Sequence, residues 1–199
     1  MVAENFDQIH SRGNVEIFGN GVILKKITPK DYPIFINLLK DKDYRFFFCL
    51  DGKDKSYFEN YIYGQLIQME TGMGCAFTIN KKGILSSTKV GYIVANYVPV
   101  MTPKGKDMAL NINFAILPQY RNKGLVTKAI KTLIKPYYKS PINWLILDIS
   151  EHNHASIRVA QKLNFLQDKG HPLYDSNNPY IGNHYKWMST ISYMMRTNF

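Results

Sequence analysis

The chain has 199 residues, 45% hydrophobic and 20% charged, a composition that excludes a disordered chain and suits one globular domain with a core of useful size. Twenty-five Lys and Arg against 15 Asp and Glu give a formal charge of +10, which points to an anionic partner, either a phosphorylated cofactor or nucleic acid, unless it is a lysine face kept for solubility. Two cysteines, Cys49 and Cys75, with no CxxC or Cys/His spacing, exclude a disulfide framework and a cysteine-type metal site.

The opening "MVAENFDQIH" is polar and lacks the apolar region of a secretory signal. No apolar run reaches the ~18 residues of a membrane span. The expectation is a soluble, cytoplasmic protein with reduced thiols and no membrane partner. One domain is expected over residues 1–199, with 1–19 as an N-terminal extension.

"GVILKKIT" reads as a first strand and "TPKDYPIFINLLKD" as a helix, with Thr28 at the cap and Pro29 at the first helical position. "YRFFFCLDGKDK" reads as a loop or a broken helix. Its three consecutive Phe cannot all face one core, so at least one lines a pocket or an interface unless helix packing takes them. "SYFENYIYGQLIQMET" predicts a second helix with Tyr57, Tyr61, Leu66 and Ile67 on one face. "CAFTINKKGILSSTKVGYIVANYV" predicts a hairpin, "VMTPKGKD" a turn and "MALNINFAIL" a strand.

From Leu125 a helix follows, because Val126, Ala129, Ile130, Leu133 and Ile134 recur at helical spacing, and it should end near Pro136. "NWLILDIS" is a short apolar strand of a sheet interior. "NHASIRVAQKLNF" is a helix capped by Asn153 and stopped by Asn164, and "HYKWMSTISYMMRT" is a last strand. The order β-α-α-β-β-β-α-β-α-β predicts an α/β fold, antiparallel in its first half with a β-α-β unit in its second.

The charge is uneven: residues 101–140 carry eight cations against the single anion Asp107. Within that window "LPQYRNKGLVTKAI" joins a strand to a helix. The first helical turn has backbone N–H groups without intrahelical partners and about half a positive charge, so it can take a phosphate. Gly124 allows close approach, Arg121 and Lys123 add charge, and Thr127 adds a hydroxyl. An ordinary strand-to-helix turn is the other reading. The stretch is neither a P-loop nor a dinucleotide fingerprint.

"RNKGLV" at 121–126 resembles the Arg/Gln-x-x-Gly-x-Gly/Ala turn of the GCN5-related N-acetyltransferases, and "NHASIRVAQKLNF" at 153–165 resembles their second signature. "VILKKITPKDYPIFINLL" resembles the opening of the branch that acetylates ribosomal-protein N-termini and small amines, the RimJ/RimL-like enzymes. The likeness covers roughly residues 20–195.

It implies a mixed, mostly antiparallel central sheet flanked by helices, with two splayed strands, Leu110–Ile116 and Trp144–Ile149, forming an acetyl-CoA gap. It also implies acetyl-CoA as cosubstrate, with the pyrophosphate on the amides of Arg121, Asn122, Lys123, Gly124, Leu125, Val126 and Thr127. The pantetheine arm would pair with Phe114, Ala115 and Ile116 and bond Asn153.

The sequence departs from the family at several positions. Val126 replaces the closing Gly or Ala, and Asn122 stands where the branch often has a second Gly. Ala160 occupies the place of the usual Tyr acid, and Asn111 that of a Glu. Ser156 is then the candidate donor to the thioester sulfur. His152, Glu151 and Asp148 are candidate bases, unless the amine arrives neutral or water relays the proton.

The expected function is acetyl transfer from acetyl-CoA to a primary amine, a peptide N-terminus or a small amine, by a monomer or homodimer. Two alternatives stay open: an RNA- or ribosome-associated module without turnover, and an acetyl-CoA sensor.

Overall fold

The computed structural model describes residues 16–19, 21–102, 105–139, 142–167 and 190–197. The strands hydrogen-bond in the order β1-β2-β3-β4-β5-β6-β8-β7. Here β1 is Glu16–Gly19, β2 Val22–Lys26, β3 Gly74–Lys82, β4 Ser87–Thr102, β5 Gly105–Ile116, β6 Trp144–Ser150, β7 Leu166–Gln167 and β8 Thr190–Arg196. Helices α1 (Tyr32–Leu38), α2 (Lys42–Phe47) and α3 (Lys55–Glu70) lie between β2 and β3. Helix α4 (Leu125–Ile134) joins β5 to β6, and α5 (His154–Lys162) follows β6.

The β5–β6 pair is parallel, and β1–β2, β2–β3, β3–β4, β6–β8 and β7–β8 are antiparallel. The expected mixed sheet with a β-α-β unit is therefore present. Among the described residues no helix is long and apolar enough to cross a membrane.

The chain divides into two compact units, Met1–Asn96 with Asn113–Pro136, and Tyr97–Ile112 with Tyr137–Phe199. In the first, Phe35 and Leu38 of α1, Tyr44 of α2, and Phe58 and Ile62 of α3 share one core with Ala76, Tyr92 and Ala115 of the sheet. Phe35 stacks on Phe58 with centroids 5.5 Å apart and tilts against Tyr92 at 4.6 Å. Rings at these separations add to what their buried area contributes.

Several sequence expectations are corrected. Glu16–Gly19 is not extension but a strand, antiparallel to β2. Thr28 caps a 3-10 turn rather than α1 itself, and its carbonyl accepts from Asp31 N–H at 2.9 Å. Its N–H and its hydroxyl both donate to Asp31 Oδ2 at 2.8 Å, and Asp31 also pairs with Lys89. A 3-10 turn over Pro29–Asp31 consequently precedes α1.

The buried face of α3 is Phe58, Ile62, Gln65 and Met69, whereas Ile67 is exposed. Tyr57, Tyr61 and Leu66 of the predicted face pack at the edge of the same core, and Asp54 caps the helix by accepting from Tyr57 N–H. The "YRFFFCLDGKDK" stretch is a broken helix: Tyr44 is buried, Phe48 packs on the core, and Phe46 is exposed. The "VMTPKGKD" turn is shorter than expected, since β4 reaches Thr102 and β5 begins at Gly105. Residues 184–189 of the expected last strand lie outside the described residues.

The β3–β4 ladder shifts register between Ile79 and Asn80, where Gly91 pairs with Ile79 and Lys89 with Asn80. Val90 is the extra residue, a β-bulge that bends the strand, and its carbonyl accepts from Leu117 N–H at 2.9 Å. A Cβ on Gly91 would meet the Ala115 carbonyl oxygen at 2.2 Å. The bulge and the glycine together set where β5 ends and the turn after it begins.

In the second unit, Val98, Val100, Ala109, Trp144 and Ile146 pack together. The β6–β8 ladder runs without a break from Trp144↔Arg196 to Ser150↔Thr190. The β5–β6 register holds three pairs, ending at Asn111↔Ile146, while β6 itself continues to Ser150.

Gly91→Ala should cost about 1–3 kcal/mol of unfolding free energy, because the neighbour it meets is backbone and cannot rotate away. Urea denaturation checks this. The Tyr44 and Tyr92 hydroxyls lie 3.0 Å apart in the core, and burial raises the pKa of Tyr44 above its ordinary value. Tyr44 holds its proton more tightly folded than unfolded, so this contribution is whole below about pH 10 and is lost as pH rises beyond it. Stability of the wild type should fall above about pH 10 more steeply than that of Tyr44→Phe, followed by thermal melting.

Candidate functional site

The turn after β5 is built by backbone conformation. Pro118–Tyr120 forms a 3-10 turn in which Tyr120 N–H donates to Leu117 O and Arg121 N–H to Pro118 O. Asn122 and Gly124 both take left-handed φ, 58° and 69°. Asn and Gly are the residues that do so at least cost, which is why Asn122 can stand for a glycine.

The first helical bond is Lys128 N–H to Gly124 O at 3.0 Å, and no side chain caps α4. The amides of Asn122, Lys123, Gly124, Leu125, Val126 and Thr127 consequently have no acceptor among the described residues. A Cβ built on Gly124 meets nothing within 4 Å, so the space outside the turn is open. Helices α2, α3 and α5 differ, each being capped by a side chain: Asp41, Asp54 and Asn153.

Two readings of this turn change. The amide of Arg121 is committed to Pro118 O, so the open run begins at Asn122. The guanidinium of Arg121 is paired with Asp41, whose side chain is only 10% exposed, and Asp43 lies 3.9 Å away. Asp41 also accepts from Asp43 N–H at the start of α2. One carboxylate thus ties the turn to α2, and the charge of Arg121 is largely offset there. Lys123 folds back to donate to Gln119 O at 2.8 Å, its ammonium 5.5 Å from the Tyr120 ring centroid. Val126 is turned into the interior at 8% exposure, so its branched side chain does not obstruct the outer side of the turn. Thr127 is half-buried, and Phe114, Ala115 and Ile116 are the last residues of β5.

In the second unit, Asn153 Oδ1 accepts from Ser156 N–H at 3.1 Å, and Asn153 N–H donates to Ser150 O. Asn153 is therefore a helix cap in its own right. Ser156 Oγ has no hydrogen-bond partner among the described residues. The His152 side chain is 71% exposed and lies 3.6 Å from Glu151. Ala160 is fully buried.

Asn111 Nδ2 donates to Asp148 Oδ2 at 2.7 Å. Sequence reasoning considered these two residues separately and missed the pair, as it missed Asp41 beside Arg121. Parallel strand register is the signal that could have joined the first pair. Nothing in the sequence links Asp41 to a residue 80 positions away. Among the described residues no cluster of His, Cys, Asp and Glu could hold a metal ion.

The structure thus joins a mixed sheet to a β5-α4-β6 crossover that opens on an uncapped helix turn. The sequence matches the family described as "Acetyltransferase (GNAT) domain" over residues 22–166, and the chain belongs to that family of acetyltransferases.

Solved structures share the fold at low identity. RimL, a ribosomal alpha-N-protein acetyltransferase solved with coenzyme A, is 14% identical with a TM-score of 0.69 over 92% of this chain and 98% of its own. A GNAT-family acetyltransferase from Bacillus anthracis is 17% identical with a TM-score of 0.68 over 92% and 99%. MccE, a microcin self-immunity acetyltransferase solved with acetyl-CoA and AMP, is 17% identical with a TM-score of 0.64 over 89% and 93%. No curated protein matches the sequence.

The Arg121–Asp41 pair gives a direct test of how the turn is held. A double-mutant cycle of Arg121→Gln and Asp41→Asn should show a coupling of about 1 kcal/mol in urea unfolding, the guanidinium being partly exposed and screened. Asparagine retains the oxygen that caps α2, so the cycle reports the ion pair. Additive effects would mean that the pair does not hold the turn.

Proposed function

We propose that the protein transfers an acetyl group from acetyl-CoA to a primary amine, a peptide N-terminus or a small amine. The observation that carries this is the run of unpartnered amides from Asn122 to Thr127 at the uncapped start of α4, with open space outside Gly124. Such an end presents N–H donors and the positive end of the helix dipole to an anion. Membership of the acetyltransferase family and the coenzyme bound to RimL and MccE support giving that anion the chemistry of a CoA pyrophosphate.

In this reading the amides of Asn122, Lys123, Gly124, Leu125, Val126 and Thr127 hold the pyrophosphate, and Arg121 positions the turn from behind. The end of β5, Phe114 to Ile116, offers backbone groups to the pantetheine arm. Asn153 bonds the same arm while capping α5, and Ser156 donates to the sulfur as it becomes a thiolate. His152, next in the same turn, is a candidate to take the proton of the amine. Direct attack on the thioester then needs only a neutral amine, a polarised carbonyl and a stabilised leaving group.

Calorimetric titration of acetyl-CoA tests the site. The wild type should bind in the micromolar range, about −8 kcal/mol. Gly124→Glu, which adds a carboxylate and a side chain at a left-handed φ, should weaken binding at least tenfold. Equal binding by both proteins would sink the reading. Absence of binding by the wild type would sink it too and would favour a nucleic-acid partner for the basic surface.

A further inference from the structure

We propose that the tip of the β3–β4 hairpin is a contact for an anionic lipid surface, with Ile84 and Leu85 as its apolar part and Lys81, Lys82 and Lys128 as its charge. This goes beyond the transfer reading and does not depend on it.

The hairpin closes at Gly83, whose N–H donates to Ser86 O at 2.8 Å, so Ile84 and Leu85 alone form the loop. Both are wholly exposed, at 102% and 99%. Two-residue hairpin loops favour Asn and Gly, which take positive φ at little cost. Neither Ile84 nor Leu85 has a positive φ, so the turn itself does not call for them. Water disfavours two adjacent aliphatic side chains at full exposure. The residues beside the loop, Lys81, Lys82, Gly83 and Ser86, are exposed as well.

The charge beside the loop is of one sign. Lys81 pairs with Val22 in the β2–β3 ladder, and Lys82 N–H donates to Gly21 O at 3.2 Å. A Cβ on Gly21 would lie 4.0 Å from Lys128 Nζ, so α4 brings a third ammonium to the same corner of the first unit. Strands β1 to β4 and helix α4 contain a single acidic residue, Glu16, and Lys25 holds it. Asp31 reaches Lys89, further along β4, and offsets that cation instead. Among the described residues Lys81, Lys82 and Lys128 have no ion-pair partner.

The chemistry of the patch selects among its possible occupants. A nucleic acid would use the lysines, but sequence-tolerant binding adds aromatic platforms for the bases, and the stretch from Lys81 to Lys89 has none. A stable protein interface buries about 800 Å² on each partner, of which a loop two residues wide supplies little. A fluid lipid interface needs no matching groove. Apolar side chains enter the acyl boundary, while lysine stems lie along it and their ammonium groups meet anionic headgroups. Apolar burial and basic charge are each marginal alone and together hold a protein at a membrane surface. The expectation of no membrane partner rests on the lack of a spanning run, and a surface contact needs none.

The test is sedimentation of the full chain with vesicles of phosphatidylcholine, alone or with about 30% phosphatidylglycerol. The wild type should bind the anionic vesicles at least about tenfold more tightly than the neutral ones, and should lose that preference as salt rises from about 0.05 to about 0.5 M. Ile84→Ser with Leu85→Ser should weaken binding to the anionic vesicles at least about tenfold, and Lys81→Gln with Lys82→Gln should do the same. Both double variants alter exposed side chains and should keep the wild-type melting temperature, which separates loss of the contact from loss of the fold.

A wild type that leaves anionic vesicles unbound, or binds neutral ones equally well, overturns the proposal. A serine pair that binds like wild type means a charge contact without insertion, and overturns it too. If a single-stranded RNA is bound instead, weakened by the glutamine pair and not by the serine pair, the patch is a nucleic-acid contact and the lipid assignment falls. Self-association that the serine pair abolishes, without vesicle binding, would give the tip to a second copy of the chain and overturn the assignment in the same way.

Discussion

The first turn of a helix cannot supply acceptors for its own amides from within. Between Asn122 and Thr127 this chain supplies none from its described residues and leaves the turn open, while it caps α2, α3 and α5 with side chains. Much of the first unit serves to hold the uncapped end in place. The bulge at Val90 sets where β5 stops, because the Val90 carbonyl receives the Leu117 amide. Two left-handed residues then turn the chain so that its amides run outward. The buried side of α4, from Leu125 through Ile134, anchors the helix behind them.

Charge around this turn is less free than a count of cations suggests. Arg121 is offset by Asp41 and Asp43, and Lys123 folds back on its own turn. Lys128, Lys131 and Lys135 are exposed along α4. An anion at the turn would therefore be drawn by oriented peptide dipoles, with the lysines contributing a screened, longer-range field. The two effects respond differently to salt: a dipole at contact persists, while a surface field fades over a Debye length.

The elements with strong periodicity were legible from residues alone. Helix α4 buries the five positions its spacing marks, β6 is the short apolar interior strand, and α5 runs from its Asn153 cap to Asn164 at φ 60°. The misses share a physical cause. On α3, aromatic and aliphatic residues occur all round the helix, so composition cannot select which face is most deeply buried; tertiary packing, such as Phe58 on Phe35, does. Strand β1 is only four residues long and gains its pairing from β2, a tertiary partner that a local pattern does not contain. For the site, the turn could be read because it is a contiguous segment. The pairs Arg121–Asp41 and Asn111–Asp148 could not, because strand register and loop packing create them.

This division also accounts for how the fold persists at 14–17% identity to RimL and the Bacillus anthracis protein. Amides are supplied by almost any residue, so a turn that presents them constrains φ and ψ at a few positions and leaves most side chains free to change. Gly124 and Asn122 take the left-handed φ, and the Val126 side chain points inward, away from the open side of the turn.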